Sequence, residues 1–373
     1  MRIGLLAPPL ESVPPKGYGG TERVVAWLAE ALLARGHDVV VFASGDSEVA
    51  APVVPIVERA LWRDDRYDRD LLPFWALVVG RAYANASGLD VMHNHLDYFA
   101  FSAARFAPIP TVTTLHGRLD LPELGPLYDE YGELALVSVS EAQRVWLPRA
   151  NWVGTVYHGM PKGLLRPSYR PGSYLAFCGR IAPEKGLDRA IEIALAAEVP
   201  LRIAARMPLA DRLGGEADRE YFEARVKPLL RHPLIEYVGE LADSEKEAFF
   251  QNAIALLFPI DWPEPFGLVQ IEALACGTPI LARPLGSVPE IVEPGVTGYL
   301  CDTTAQFVEG IRSIDDLDRH ACRASFEERF TTPVMAAAYE RVFEAVVARA
   351  PALAAAEIAD EAVAADADPL SVV

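Results

Sequence analysis

The chain has 373 residues, 51% hydrophobic and 23% charged, with a formal net charge of −18. This length and balance describe two or three well-filled domains and exclude a disordered chain. The acidity argues against a generic nucleic-acid or anionic-membrane surface, while leaving room for a local basic cleft.

Met1-Arg-Ile-Gly-Leu-Leu-Ala-Pro opens the chain as a strand; a signal peptide would carry a longer apolar core. The longest apolar run, residues 71–79, is broken by Pro73 and falls well short of the roughly 20 residues of a membrane span. Cys178, Cys276, Cys301 and Cys322 are dispersed without metal-ligand spacing and read as reduced, buried thiols. A cytoplasmic protein is expected, in which the sequon Asn85-Ala-Ser87 carries no meaning.

Short apolar runs then alternate with amphipathic stretches, the pattern of α/β architecture with parallel sheets. Strands are predicted over residues 3–7, 39–43, 91–93, 111–115 and 134–138. A helix follows the first of them, with Thr21 as its expected N-cap, Val24, Val25, Leu28, Ala31 and Leu32 on one side, and Gly36 as its stop. Residues 157–173, rich in Gly and Pro, read as a linker. A second series predicts strands over 174–178, 201–205, 235–238, 255–258, 279–282 and 298–300, with helices over 187–197 and 244–252. An amphipathic helix covers about 334–347, and an Ala-rich acidic tail beyond Pro351 is expected to be disordered. The expected division is two Rossmann-like α/β domains, 1–165 and 166–333, then a helix over 334–349 and a tail over 350–373. Two such domains would face each other across a cleft, with ligands at the carboxyl ends of the strands.

The most informative segment runs from Asp261 to Gly277: Asp-Trp-Pro-Glu-Pro-Phe-Gly-Leu-Val-Gln-Ile-Glu-Ala-Leu-Ala-Cys-Gly. Pro263 and Pro265 place Glu264 on a stiff loop, and from about Gly267 the pattern turns helical until Gly277. Free N–H groups near Phe266, Gly267 and Leu268 would suit an anion or the oxygens of a polar ligand. Glu272 lies one turn in, at i+3 and i+4 from Val269 and Leu268. A Pro-rich turn before an ordinary core helix is the plainer reading of the same residues.

Other strand ends offer further chemistry. Arg180 and Lys185, in Cys178-Gly-Arg-Ile-Ala-Pro-Glu-Lys-Gly186, would supply a fork and a point charge for a diphosphate, if they are not simply surface cations. Gly17-Tyr-Gly-Gly-Thr-Glu-Arg23 lets backbone approach a ligand at Gly19 and Gly20, or is a flexible turn; its G-x-G-G order is a poor dinucleotide fingerprint. His116 closes the apolar run Thr113-Thr-Leu-His116, where a structural histidine is the commoner case. His93-Asn-His95-Leu-Asp97 lacks a third metal ligand at convincing spacing, so His95 and Asp97 read as polar strand-end residues on an acceptor side. Arg206, Gly239 and Glu240 end later strands and border a nucleotide or are ordinary loop residues. Asp68-Arg-Asp70 has a D-x-D form in a charged, solvated run, and Asp366-Ala-Asp368 is worse placed, so no metal is expected.

Taken together, Glu264–Glu272, the segment Gly179–Gly186 and the stretch Gly19–Arg23 resemble the retaining nucleotide-sugar glycosyltransferases of family 4, which have the GT-B fold. The resemblance spans most of residues 1–348. It implies that Glu264 holds donor-sugar hydroxyls and Glu272 the ribose hydroxyls, with donor contacts from Phe266, Gly267, Leu268 and Val269. It further implies that Arg180 and Lys185 grip the diphosphate, that Gly19 and Gly20 lie beside it, and that His116 meets the sugar. The co-substrate would be a nucleotide-diphosphate sugar, with no cofactor, and the last helix would cross back to the first domain. Ser287-Val-Pro-Glu290 resembles a family segment read as mainly structural. His158-Gly159 departs from the family, where Asn-Gly is common, which puts hinge details in doubt. A nucleotide-sugar epimerase or a phosphorylase of the same fold, or a non-catalytic nucleotide-sugar-binding protein, are the alternatives; the pyridoxal lysine signature of one phosphorylase type is missing.

Overall fold

The computed structural model describes residues 1–17, 19–66, 70–207 and 215–366, the side chains as far as residue 349. Asp68 and Asp368, each half of a D-x-D pattern, lie outside the described residues.

Two parallel sheets organise the chain. The first contains β1 (Arg2–Leu6), β2 (Asp38–Ser44), β3 (Val53–Val57), β4 (Val91–Asn94), β5 (Thr111–Thr114), β6 (Ala135–Ser138) and β7 (Trp152–Thr155), in the order β3-β2-β1-β4-β5-β6-β7. The second contains β8 (Tyr174–Arg180), β9 (Leu201–Arg206), β10 (Ile235–Gly239), β11 (Ala253–Phe258), β12 (Ile280–Ala282) and β13 (Gly298–Leu300), in the order β10-β9-β8-β11-β12-β13. Every strand pairing is parallel, as near-continuous runs such as Val39–Ala43 and Ala255–Phe258 require when both faces are buried. Strand order reverses between β1 and β4 in one sheet and between β8 and β11 in the other, and a crevice opens at such a reversal beyond the carboxyl ends.

The eleven predicted strands are present within a residue or two at each end. Two edge strands are additional. Val53–Val57 contains Pro55, which a strand tolerates only at a sheet edge. Trp152–Thr155 is half-buried throughout and lacks a strong apolar signal. One cap differs from expectation: the helix Gly20–Ala34 is capped by the extended Gly19, so Thr21 lies inside its first turn.

The last helix begins at Thr332 and packs on the first sheet's layer. Tyr339 and Phe343 are fully buried there; the Tyr339 hydroxyl lies 2.9 Å from Thr114 Oγ1, and Glu340 pairs with Arg35 and with His37 Nε2. The helix continues to Asp366, so residues 350–366 are helical where a disordered tail was expected. One apolar cluster joins the layers, running from Ile3 and Val24 through Phe258 and Phe266 to Phe343.

Candidate active site

The crevices of the two sheets face each other across one cleft of ≈530 Å³, within the range of small-molecule sites. Fifteen of the sixteen residues singled out above line it: Gly19, Gly20, His95, Asp97, His116, Arg180, Lys185, Arg206, Glu240, Glu264, Phe266, Gly267, Leu268, Val269 and Glu272. Gly239 is the exception. Its φ of +85° turns the chain after β10 and leaves the contact to Glu240.

On the second-sheet side the loop after β11 carries Glu264, buried, whose Oε2 lies 2.5 Å from Lys185 Nζ and accepts the Trp262 indole N–H at 2.9 Å. The same ammonium sits 4.6 Å from the Trp262 ring centroid, a cation–π contact. Gly267 caps the helix Leu268–Ala275 with a φ of +78°. A Cβ there would lie 2.9 Å from the Gln270 amide nitrogen, whose side chain would have to shift; the positive φ is what favours glycine. In the first turn of that helix the Gln270 N–H donates to the Gly267 carbonyl at 3.0 Å, while the N–H groups of Leu268 and Val269 precede the helix's own hydrogen-bond ladder. Gly286 is packed against this loop: a Cβ would come within 2.3 Å of the Glu264 carbonyl oxygen.

Glu272 is buried on the inward face of the same helix, and its Oε1 lies 2.6 Å from Lys246 Nζ. Burial pulls the Lys246 ammonium pKa down, but the Glu272 carboxylate overcomes this and holds it above its ordinary value. Lys246 lines the cleft and escaped the sequence reading, because one Lys on the amphipathic helix Asp243–Gln251 looks like any solvated cation. Arg180 ends β8, where its guanidinium is held by Asp218 at 2.9 Å and Glu184 at 2.6 Å.

On the first-sheet side four imidazoles form a ladder. His93 and His95 have ring centroids 4.0 Å apart, His95 and His116 5.1 Å, and His116 stacks on His158 at 5.2 Å; His158 meets Phe266 edge-on at 4.8 Å. His95 Nδ1 and His116 Nε2 share a 2.8 Å hydrogen bond. Burial keeps all four neutral, the His116 pKa being pushed down to about 3. His158, the departure from Asn-Gly, therefore supplies a rung between the two halves. Asp97 adopts φ +48°, a left-handed conformation that Asp tolerates, and its carboxylate accepts the His116 backbone N–H at 3.0 Å. Burial raises its pKa to about 6. Glu22, beside Gly19 and Gly20, is raised to about 7, first by burial and then by repulsion from Glu11.

Contacts across the cleft fix the two halves. Arg23 pairs with Asp243, and Arg206 lies over the Trp62 ring at 5.6 Å. Glu290 accepts the backbone N–H groups of Glu141 and Ala142 at 2.8 and 2.7 Å, and the Tyr157 hydroxyl at 2.9 Å. No group of three or more His, Cys, Asp or Glu side chains suited to a metal ion occurs among the described residues. No helix among them is long and apolar enough to cross a membrane.

Two facing Rossmann-like units with this cleft between them are the architecture of a GT-B glycosyltransferase. The chain belongs to glycosyltransferase family 4: the model described as Glycosyltransferase Family 4 matches residues 18–167 and that of Glycosyl transferases group 1 matches residues 168–328. Among curated relatives, glycogen synthase of Mycobacterium tuberculosis is 28% identical, over 81% of this chain and 84% of its own. The phosphatidyl-myo-inositol mannosyltransferase of Mycobacterium leprae is 26% identical over 93% and 97%. Among solved structures, sucrose-phosphate synthase from Thermosynechococcus elongatus superposes with a TM-score of 0.74 at 19% identity, covering 93% of this chain and 99% of that one. Anabaena HepE in complex with UDP and glucose gives 0.68 at 20% identity, covering 92% and 99%. The chain is thus an enzyme of the glycosyltransferase class.

Proposed function

We propose that the protein transfers a hexose-like sugar from a nucleotide-diphosphate sugar to an acceptor hydroxyl, with retention at the anomeric carbon, without a metal, in the cytoplasm. The observation that carries this reading is the convergence of two buried carboxylate–ammonium pairs, Glu264–Lys185 and Glu272–Lys246, on one cleft between the sheets. The HepE complex with UDP and glucose supports a nucleotide sugar as donor.

In this reading Glu272 and Lys246 hold the ribose end, and Glu264 with the N–H groups at Phe266–Leu268 orients the sugar. Arg180 releases Asp218 and Glu184 to meet the diphosphate beside Lys185. As the glycosidic C–O bond breaks, negative charge grows on the leaving phosphate, where fixed cations stabilise it most. That phosphate takes the acceptor's proton while the acceptor oxygen bonds to the same face of the anomeric carbon. His116, neutral at working pH, positions a sugar hydroxyl. The protein acts by positioning rather than by covalent attack, and the closed cleft limits donor hydrolysis.

The test is a panel of UDP-, GDP- and ADP-sugars scored for nucleoside diphosphate release with and without acceptors, in EDTA, with the product anomer read by NMR. Acceptor-dependent release with retention is expected. Inversion, loss of activity in EDTA, or donor conversion without any acceptor would overturn the reading.

A further inference from the structure

The two walls of the cleft differ in kind. Its cations Arg180, Lys185, Arg206 and Lys246 all come from the second half, where a donor diphosphate needs them. Among the described residues the first-half wall carries one cation, Arg23, and it is paired with Asp243. The same wall carries the carboxyl groups of Glu22, buried, and Asp97, half-buried. A phosphate seated there would face two carboxyls and a neutral imidazole ladder with no free cation among the described residues to receive it. Bringing a dianion into that setting costs desolvation with no ion pair to offset it.

What the wall offers instead is aromatic surface. Trp75 and Phe99 stack with centroids 4.4 Å apart and planes within 12°, and Tyr98 stacks on Phe99 at 4.7 Å. Trp75, Phe99 and Trp62 line the cleft together with Leu10. Aromatic faces of this kind take flat apolar surface, and the carboxyls and imidazoles beside them suit hydroxyl groups.

We propose that the acceptor is an uncharged, ring-bearing hydroxyl compound, a neutral sugar or glycoside, seated against the Trp75–Phe99 wall, and not a phosphorylated polyol or phospholipid headgroup. This rests on the transferase reading above and adds the chemistry of its second substrate.

The experiment uses the full chain and the nucleotide sugar that raises its melting temperature most. Transfer is compared between methyl or 4-nitrophenyl glycosides and matched phosphate-bearing acceptors, sugar 6-phosphates and inositol 1-phosphate. The neutral member of each pair is expected to win in kcat/KM by about tenfold or more. Trp75→Ala is expected to raise the neutral acceptor's KM by about tenfold while leaving the donor-induced shift in place. Preference for the phosphorylated members, no transfer to any neutral glycoside, or an acceptor KM untouched by Trp75→Ala overturns the proposal. The wild-type comparison stands even if Trp75→Ala fails to fold. A donor-induced shift with the wrong acceptor preference sinks this proposal alone, whereas no shift with any nucleotide sugar sinks the transferase reading with it.

Discussion

Lys185 and Glu264 stand 79 residues apart in sequence and 2.5 Å apart in space, joining the end of one strand–helix connection to the next strand's loop. Both side chains are largely buried, 16% and 8% exposed, so neither charge is well solvated without the other. The pair holds the loop between Pro263 and Pro265 at the cleft and keeps its two charges ready for a ligand.

Removing one member should therefore cost more than removing both. Lys185→Met leaves Glu264 with only the Trp262 indole and is expected to lower stability by about 3 kcal/mol. The double variant Lys185→Met, Glu264→Gln should recover part of that in urea denaturation. Additive losses would show that the pair contributes no coupling.

Lys246→Met is expected to weaken nucleotide binding about tenfold, because it unpairs the buried Glu272. In a double-mutant cycle with Glu272→Gln, titration calorimetry should return a coupling of about 1–2 kcal/mol. Independent effects would mean that Lys246 does not act through Glu272.

Glu22 gives a pH dependence of defined sign. Its folded-state pKa, about 7, is raised from 4.5, so between those values the folded chain holds a proton that the unfolded chain has lost. Its contribution to stability therefore falls as pH rises from 4.5 to 7 and stays at its least favourable above that. Glu22→Gln removes this penalty, and its melting advantage over wild type should be absent at pH 4.5 and grow to at most about 3 kcal/mol at pH 8. An advantage independent of pH would place the proton elsewhere.

Glu290 caps the first-half helix Glu141–Arg144 from the second half. Glu290→Ala should speed amide exchange at Glu141 and Ala142 selectively, with β11 and β12 amides unchanged. Uniform acceleration across both sheets would indicate general destabilisation instead.

Much of this was readable in the sequence, and the parts that were not share a cause. Parallel strands buried on both faces announce themselves as apolar runs, so Val39–Ala43 and Ala255–Phe258 were plain. Val53–Val57 was not, since Pro55 is permitted only by its edge position, which is a property of the sheet. Glu264, Glu272, Arg180 and Lys185 stood out because prolines, glycines and helix starts surround them locally. Lys246, Trp75 and Phe99 reach the cleft by tertiary placement alone, and nothing within a few residues marks them. The clip from Glu290 to the Glu141 helix spans the two halves and has no local signature either. Residues 350–366 show the reverse error: their composition suggested disorder, whereas alanine's high helix propensity lets the preceding helix run on.

The final helix also sets an order of events during synthesis. Tyr339 and Phe343 fill a space beside His93 and Thr114 that the first 165 residues cannot fill themselves, and Val342 reaches toward Gly154. The first half leaves the ribosome long before those side chains exist and must wait, with that surface open, until the second half has been made. A fragment ending near residue 165 would carry the open surface permanently, and supplying the helix as a separate peptide would be the way to close it.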